Sequence, residues 1–544
     1  MKKRCMAAAL SVLSAAMLLG GCVPKATSNT KANETTTPVE SSNFNETGLP
    51  IVNEPVSITL AAITSKNKNF EELVYFQQME ESTNVDVNWN MNAKEGWDEK
   101  KALLFAGNNL PDAFYGYEIL TEVDVIKYAS QGMLIPLNDL IDKYAPNLKH
   151  AMEVNPTLEA QITASDGNIY SLPTFTSLDP DTYSKLFINK NWLDQLGLEV
   201  PETLDEFEAV LKEFKANDLN GNGDAGDEIP FTFRAQDLRQ QNLAPMFGSW
   251  GQVDDYTHFI VDDGTVIYTA QTEPWKEGIE YFNKLYSQGL MDPEGFTHDF
   301  NVYVAKIQDP SKIVGAFLGW SCNSTAGPNR DDFIALAPLK GPNGDQLWAN
   351  SPSKISCKSA FAITKAARNP EVIMRWIDES YEPENSLQVN QGLFDYSLEK
   401  TENGGYRYLP LPEGKLQSEL IHDYGPGTDG VFGVLPEVAD KLELNANLKE
   451  RAELDEFYAP YNVPLENVYP SVLFDIEEID RISVLKTDID AYVEQNYANW
   501  ISKGGIEEEW DAYVEKLKAL HVDEYIQIYQ QAYDRYARTM GWTE

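Results

Sequence analysis

The sequence predicts an α/β fold of more than one lobe, opening on a largely parallel sheet and closing with amphipathic helices. Three observations carry this expectation. Val56-Ser57-Ile58-Thr59-Leu60 and Val85-Asp86-Val87-Asn88-Trp89 are strand-like runs, and between them the residues from Phe70 to Glu81 have helical apolar spacing. Strand, helix and strand at this separation make a βαβ unit, whose two strands run parallel. Further on, Thr203-Leu204-Asp205-Glu206 after Pro201 fits a capping box, and Leu204, Phe207, Val210, Leu211 and Phe214 then share one helix face. Near the end, Trp510, Tyr513, Val514, Leu517 and Leu520 repeat that spacing, followed by Tyr525, Ile528, Tyr529, Ala532, Tyr533 and Tyr536.

The 544 residues, 42% hydrophobic and 11% aromatic, are enough for two or three lobes, each with a sizeable core. Against 43 Lys and Arg stand 85 Asp and Glu, a formal charge of −42. That balance excludes a general nucleic-acid binder, which needs a basic surface to neutralise phosphate, and argues against adhesion to anionic lipid. Four cysteines exclude a disulfide scaffold.

The N-terminus indicates the compartment. Lys2, Lys3 and Arg4 precede an apolar run from Met6 to Leu19, too short for a comfortable membrane span, so residues 1–21 read as a secretory signal. Leu19-Gly20-Gly21-Cys22 resembles the lipobox of bacterial lipoproteins. The resemblance implies cleavage before Cys22, lipidation of its sulfur, and an extracytoplasmic protein anchored to the cell membrane. Residues 22–54, rich in Ser, Thr, Asn, Lys and Glu, bury too little apolar surface to fold and read as a flexible tether. Cys5 leaves with the signal, and Cys322 and Cys357 remain, either paired or as two buried thiols.

Catalytic motifs are missing. The five His residues form no HExxH or triad-like cluster, the body has no CxxC, and there is no GxSxG elbow or Walker A loop. Gly425-Pro426-Gly427-Thr428-Asp429-Gly430 formally fits GxGxxG but carries a proline and reads as a loop. The sharpest local motif is DLNGNGDAGDEIPF from Asp218. Asp218, Asn220 and Asn222 alternate, Gly221 and Gly223 permit a tight turn, and Asp224, Asp227 and Glu228 add carboxylates. Calcium takes six to eight oxygens at one radius, which such alternation supplies. The bidentate Glu at the twelfth position of an EF-hand loop is absent, and the alternative is a solvated Asp/Asn/Gly turn.

Several stretches add up to a family resemblance: LLFAGNNLPDAF from Leu103, LIPLNDLIDKYAPNLK from Leu134, DGNIYSLP from Asp166 and INKNWLDQLGLEVPETLDEFEAVLKEF from Ile188. LYSQGLMDPEGF from Leu285, SAFAITKAARNPEVIMRWID from Ser359 and the C-terminal EEEWDAYVEKLKAL continue it. In this order they resemble extracellular solute-binding proteins of carbohydrate-uptake ABC transporters, within the subgroup of long lipoproteins that includes alginate-binding proteins. The resemblance implies two α/β lobes of the maltodextrin-binding-protein type joined by hinge segments, with crossovers near Tyr170–Pro173 and Ser359–Ala362. Lobe one is expected over 55–170 plus about 360–440, and lobe two over 174–358 plus about 441–544. It also implies a monomer that is not an enzyme, an oligosaccharide ligand and an ABC permease partner. A surface glycan hydrolase, or a lipoprotein that signals or adheres, is the alternative. In the subgroup the metal loop has its Asp-Glu pair ninth and tenth, whereas Asp227 and Glu228 are tenth and eleventh; structural calcium is expected.

A sugar site needs aromatic faces ringed by planar polar groups. Trp320 in GAFLGWSCN resembles the stretch where maltodextrin-type proteins place a stacking tryptophan. Trp250 lies between glycines and Trp348 follows the turn GPNGDQ, where loops present rings. Tyr115, Tyr117 and Asp112 match the family's lobe-one turn at the cleft, although Asp112 is equally a helix cap. Arg239 and Arg330 are candidates for an anionic sugar.

Overall fold

The computed structural model describes residues 42–64, 68–237, 240–351 and 353–542. The signal, residues 22–41, Cys22 among them, and Arg239 lie outside the described residues, and residues 42–54, expected as tether, instead pack on lobe one, where Ile51 and Val52 are fully buried and Ile51 N donates to Thr83 O at 3.0 Å. The strands in chain order are β1 (Val56–Thr64), β2 (Val85–Ala93), β3 (Ala113–Tyr115), β4 (Leu172–Thr176), β5 (Lys185–Asn189), β6 (Phe259–Asp262) and β7 (Thr265–Tyr268). They continue with β8 (Ala316–Gly319), β9 (Phe333–Leu336), β10 (Ile355–Ile363), β11 (Leu398–Lys400), β12 (Tyr406–Tyr408) and β13 (Gly433–Val434).

The opening βαβ unit forms as expected. β1 pairs parallel with β2 from Val56↔Val85 to Thr64↔Ala93, and β3 joins β1 parallel on its other edge. The intervening helix is shorter than its apolar spacing suggests. Phe70–Glu72 make a single 3-10 turn capped by the Asn69 side chain, Leu73 is extended, and the α-helix proper runs over Val74–Thr83. The complete sheet has the order β13-β4-β10-β3-β1-β2, with β10 antiparallel to both β3 and β4. The parallel prediction thus holds locally, and a strand arriving from some two hundred residues away mixes the sheet. The second sheet, β8-β5-β9, is antiparallel.

Each sheet has its own core, and these are the two lobes. Leu60, Val87, Tyr115, Leu172, Phe361 and Trp376 pack in the first. In the second, Leu186 and Ile188 of β5 meet Phe207, Leu211 and Phe214 of the capped helix Leu204–Ala216. The capping box is present in both directions: Glu206 N donates to Thr203 Oγ1 at 3.2 Å and Thr203 N to the Glu206 carboxylate at 3.1 Å. Trp500, Trp510, Tyr513 and Tyr525 of the C-terminal helices belong to this second core. Each such large side chain contributes about 1.5–3 kcal/mol by burial, so these helices are integral to the lobe.

The chain passes between the sheets three times: between Thr176 and Lys185, between Leu336 and Ile355, and along the helix Ala446–Tyr458. Leu448 of that helix packs with Val438 and Leu442, and its Tyr458 lies in the second core. The 28-residue helix Ile476–Lys503 also touches both lobes. Its Ile476 and Ile479 meet Ile126 and Ala164 of lobe one, while Trp500 anchors it in lobe two. Cys322 and Cys357 are both free thiols. Burial pushes Cys322 up to about 12, which makes it unreactive.

Candidate functional site

The carboxyl ends of the lobe-one strands border a cavity of about 400 Å³. Ligands of open parallel sheets bind at this edge, because the loops there are free to diverge. Thr64 ends β1, Tyr117 and Glu118 follow β3, Thr176 and Asp179 follow β4, Ser356 starts β10, and Asn390, Thr428 and Asp429 close the far wall. Gly116 lets the chain turn there: its φ is +119°, and a Cβ would lie 2.9 Å from the Asp429 carbonyl. The contact holds the Gly425–Gly430 loop against β3, with Tyr117 N donating to Asp429 O at 3.2 Å and Thr64 Oγ1 to Asp429 Oδ2 at 3.1 Å. Among the described residues, three carboxylates, Glu118, Asp179 and Asp429, line the cavity with one ammonium, Lys94, which pairs with Glu118 at 2.6 Å. The wall is acidic.

Trp320 follows β8 and lies half-buried at that end of the second sheet. Its indole stacks on Tyr183 with centroids 5.3 Å apart at 22°, and the Arg451 guanidinium carbon lies 4.8 Å from the ring centroid. Trp320 Nε1 and Arg451 Nε are both buried without a hydrogen-bond partner. Burial lowers the Arg451 pKa, opposed by Asp179, Glu450 and Asp455. Asp179 is also a wall of the 400 Å³ cavity, so the aromatic–guanidinium group and the acidic wall share a residue. Arg451 and Tyr183 have no motif around them; they come from a helix and a crossover separated by more than two hundred residues, and only the fold joins them.

The other expected ligand residues have other places. Trp250 is packed against Phe247, Tyr281 and Phe282 in the lobe-two core, which leaves no ring face for a ligand. Trp348 is 2% exposed; its Nε1 donates to Ser184 O at 2.9 Å and its ring packs on Tyr458, although its edge borders a second cavity of about 330 Å³. Tyr115 is fully buried among Phe70, Phe76 and Trp89, its hydroxyl accepting from Val431 N at 3.1 Å. Asp112 caps no helix and faces no cleft: it accepts from Thr59 N at 2.8 Å, tying β3's entry to β1. Arg330 is exposed, with NH1 donating to Asn323 Oδ1 at 2.6 Å and Asp331 beside it. Of the three expected lobe-one residues, Tyr117 alone lines the cleft cavity, beside Phe432 of the lobe-one core.

The Asp218 loop is wound as a cation loop. Asp218 accepts from the backbone of Gly221, Asn222 and Gly223 at 2.8–3.1 Å, and Gly221 and Gly223 take φ of +75° and +94°. Glu228 Oε1 accepts from Leu219 N at 2.9 Å, and the amides of Asn220 and Asn222 converge on Asp227 Oδ2. Asp227 Oδ1 and Glu228 Oε2 are buried with no donor. Buried carboxylate oxygens without donors are costly unless a cation meets them, so the oxygen set fits a hard divalent ion. A different acidic group, Asp292, Glu294 and His298, is closed by Lys306, whose ammonium lies 2.8 Å from Asp292 and 2.6 Å from Glu294.

A family model described as bacterial extracellular solute-binding protein matches residues 61–386, well over half of the chain. The chain belongs to that family. Among curated relatives, the Streptococcus pneumoniae fructooligosaccharide ABC transporter substrate-binding protein FusA is 33% identical over 86% of this chain and 88% of its own length. A structure of S. pneumoniae FusA in complex with kestose superposes with a TM-score of 0.76 at 32% identity, covering 89% of this chain and 99% of that one. An EF-hand mutant of FusA in complex with fructo-nystose gives 0.75 at the same identity. An extracellular solute-binding protein from Bifidobacterium longum subsp. infantis gives 0.80 at 27% identity, over 89% and 98% of the two chains. As a solute-binding protein of two α/β lobes, the chain binds rather than catalyses, in line with the sequence. Among the described residues no helix is long and apolar enough to cross a membrane.

Proposed function

We propose that this solute-binding protein captures a neutral oligosaccharide between its lobes and delivers it to an ABC permease. The observation that carries the reading is the acidic, hydroxyl-accepting wall (Glu118, Asp179, Asp429), whose Asp179 also acts electrostatically on Arg451 of the Trp320–Tyr183–Arg451 group. Carboxylates accept from sugar hydroxyls and repel a uronate, and the two unpartnered N–H groups of Trp320 and Arg451 offer donors to ring or hydroxyl oxygens. The fructooligosaccharide specificity of FusA supports the same class. Trp320, Tyr117, Tyr183 and Arg451 are the ligand residues of this reading, in place of the wider expected set.

Lobe one comprises about 55–170 with 360–440 and lobe two 174–358 with 441–544, a division supported by the two cores. Sugar that touches both lobes only when they are closed stabilises the closed state by that difference in affinity, and the closed surface is what the permease reads. The protein acts as a monomer held to the membrane by lipid on Cys22. Calcium sits in the Asp218 loop with Asp218, Asn220, Asn222, Asp224, Asp227 and Glu228 as its oxygen sources, and it pins the loop after the capped helix. A thermal-shift series tests the ligand class: kestose and related neutral fructans raise the melting temperature dose-dependently and are recovered intact. A shift with oligogalacturonates alone, or consumption of the sugar, contradicts the reading.

A further inference from the structure

Asp292, Glu294 and His298 share one turn of lobe two, between Met291, which bridges to Phe231, and the helix Phe300–Ile307. The turn is closed by its own backbone, with Gly295 N donating to Asp292 O at 3.1 Å and His298 N to Glu294 O at 2.9 Å. Each of the three side chains offers one ligand atom, and these atoms all lie within 4.8 Å of one another. Asp292 is 2% and His298 6% exposed, whereas the Glu294 side chain is open to water, so the group is reached from solvent past Glu294.

The His298 ring determines what the group can hold. Its Nε2 lies 2.7 Å from Phe233 O, and a carbonyl only accepts, so Nε2 carries the proton. Burial, together with the nearby Lys306 ammonium, lowers its pKa and keeps the ring neutral. Nδ1 is therefore a lone pair, buried, without a hydrogen-bond partner and 3.8 Å from Asp292 Oδ2. A carbonyl that holds one imidazole nitrogen fixes the tautomer and aims the other, the arrangement that metal-ligating histidines use. Asp292 is braced in the same way, its Oδ2 accepting from Thr232 Oγ1 at 2.8 Å and its Oδ1 from Glu294 N at 3.0 Å. One nitrogen with two carboxylates suits zinc, whereas calcium takes oxygen alone. With bonds of about 2.0–2.2 Å, tetrahedral ligand atoms sit ~3.3 Å apart, close to the separation of Nδ1 and Asp292 Oδ2. Lys306 holds the two carboxylates, 2.8 Å from Asp292 Oδ2 and 2.6 Å from Glu294 Oε2, yet leaves Nδ1 unpartnered. A divalent ion engages all three groups, and the flexible lysine stem lets the ammonium withdraw to solvent.

We propose that Asp292, Glu294 and His298 bind a zinc ion in exchange for the Lys306 ammonium, at a site separate from the Asp218 loop. The test is calorimetric titration of the untagged secreted chain carrying Cys22→Ser with zinc chloride, in excess calcium chloride so that the Asp218 loop takes no part in the signal. Saturable binding of one zinc per chain is expected. Glu294→Gln, made at an exposed side chain, should weaken it by about tenfold or more, and His298→Gln should do the same. Lys306→Met, which removes the competing ammonium, should tighten it by about as much. Thermal melts of each variant establish that it is folded, and should His298→Gln or Lys306→Met not fold, the Glu294→Gln comparison stands by itself. No zinc binding by the parent chain, an affinity unchanged in Glu294→Gln, or an affinity unchanged or weakened in folded Lys306→Met overturns the proposal.

Discussion

Trp320 and Arg451 bring two buried, unpartnered N–H groups close together beside Tyr183. Trp320→Phe keeps an aromatic face against Tyr183 and removes only the N–H, so fructan affinity should fall by about 1 kcal/mol, the worth of one hydrogen bond. Trp320→Ala should cost about 1–3 kcal/mol, and an unchanged dissociation constant in both variants by calorimetry removes Trp320 from the site. A different single residue governs pH behaviour. Asp378 accepts from Asn147 N and Leu148 N at 3.1 and 2.9 Å, and burial raises it from 3.8 to about 7. Its folded pKa lies above the unfolded one, so its contribution is fully present below about pH 4 and is lost as pH rises through about 7. Denaturation of wild type and Asp378→Asn across that window should show the wild type losing ground to the variant; a constant difference contradicts the assignment. At this scale the sequence misleads where glycines are read as loop presenters. A Cβ on Gly248 would lie 2.0 Å from the Leu347 carbonyl, so the glycine serves a close backbone approach that buries Trp250 and Trp348 instead of displaying them. Tyr115 and Tyr117 are two positions apart and would share a face in a continuous strand, but β3 ends at Tyr115 and the turn at Gly116, with φ of +119°, separates the buried ring from the cleft one.

Among the elements, those built from local signals were legible and those built by long-range pairing were not. The Thr203 box and its apolar face, the βαβ start and the two last helices carry their periodicity in short windows. The helix Ile476–Lys503 carries one apolar stripe, Leu485, Ile489, Val493 and Trp500, into the lobe-two core, but the contact of its first turn, Ile476 and Ile479, with lobe one is set by the fold alone. The Asp218 loop lies between these cases, since its alternation is visible in the sequence but the buried, donor-less oxygens of Asp227 and Glu228 appear only in the fold. Calcium is predicted to raise the melting temperature and a chelator to reverse it. Asp227→Asn with Glu228→Gln should abolish that response, and a calcium-dependent shift that survives the pair contradicts the proposed ligands.

For the whole molecule, lobe closure is the property that, in the proposed function, turns these local contacts into a transport signal. Three passages between the sheets and the long helix touching both lobes leave few ways for the lobes to move except about those crossings. The acidic cleft wall and the chain's −42 charge both disfavour anionic ligands, the wall at contact range and the net charge by long-range repulsion. The most direct test is a calorimetric titration of the secreted Cys22→Ser chain with kestose and with trigalacturonate, each followed by small-angle scattering. Saturable kestose binding with a smaller radius of gyration, and no response to trigalacturonate, is the predicted result; binding of the uronate instead, or kestose binding without compaction, contradicts the account.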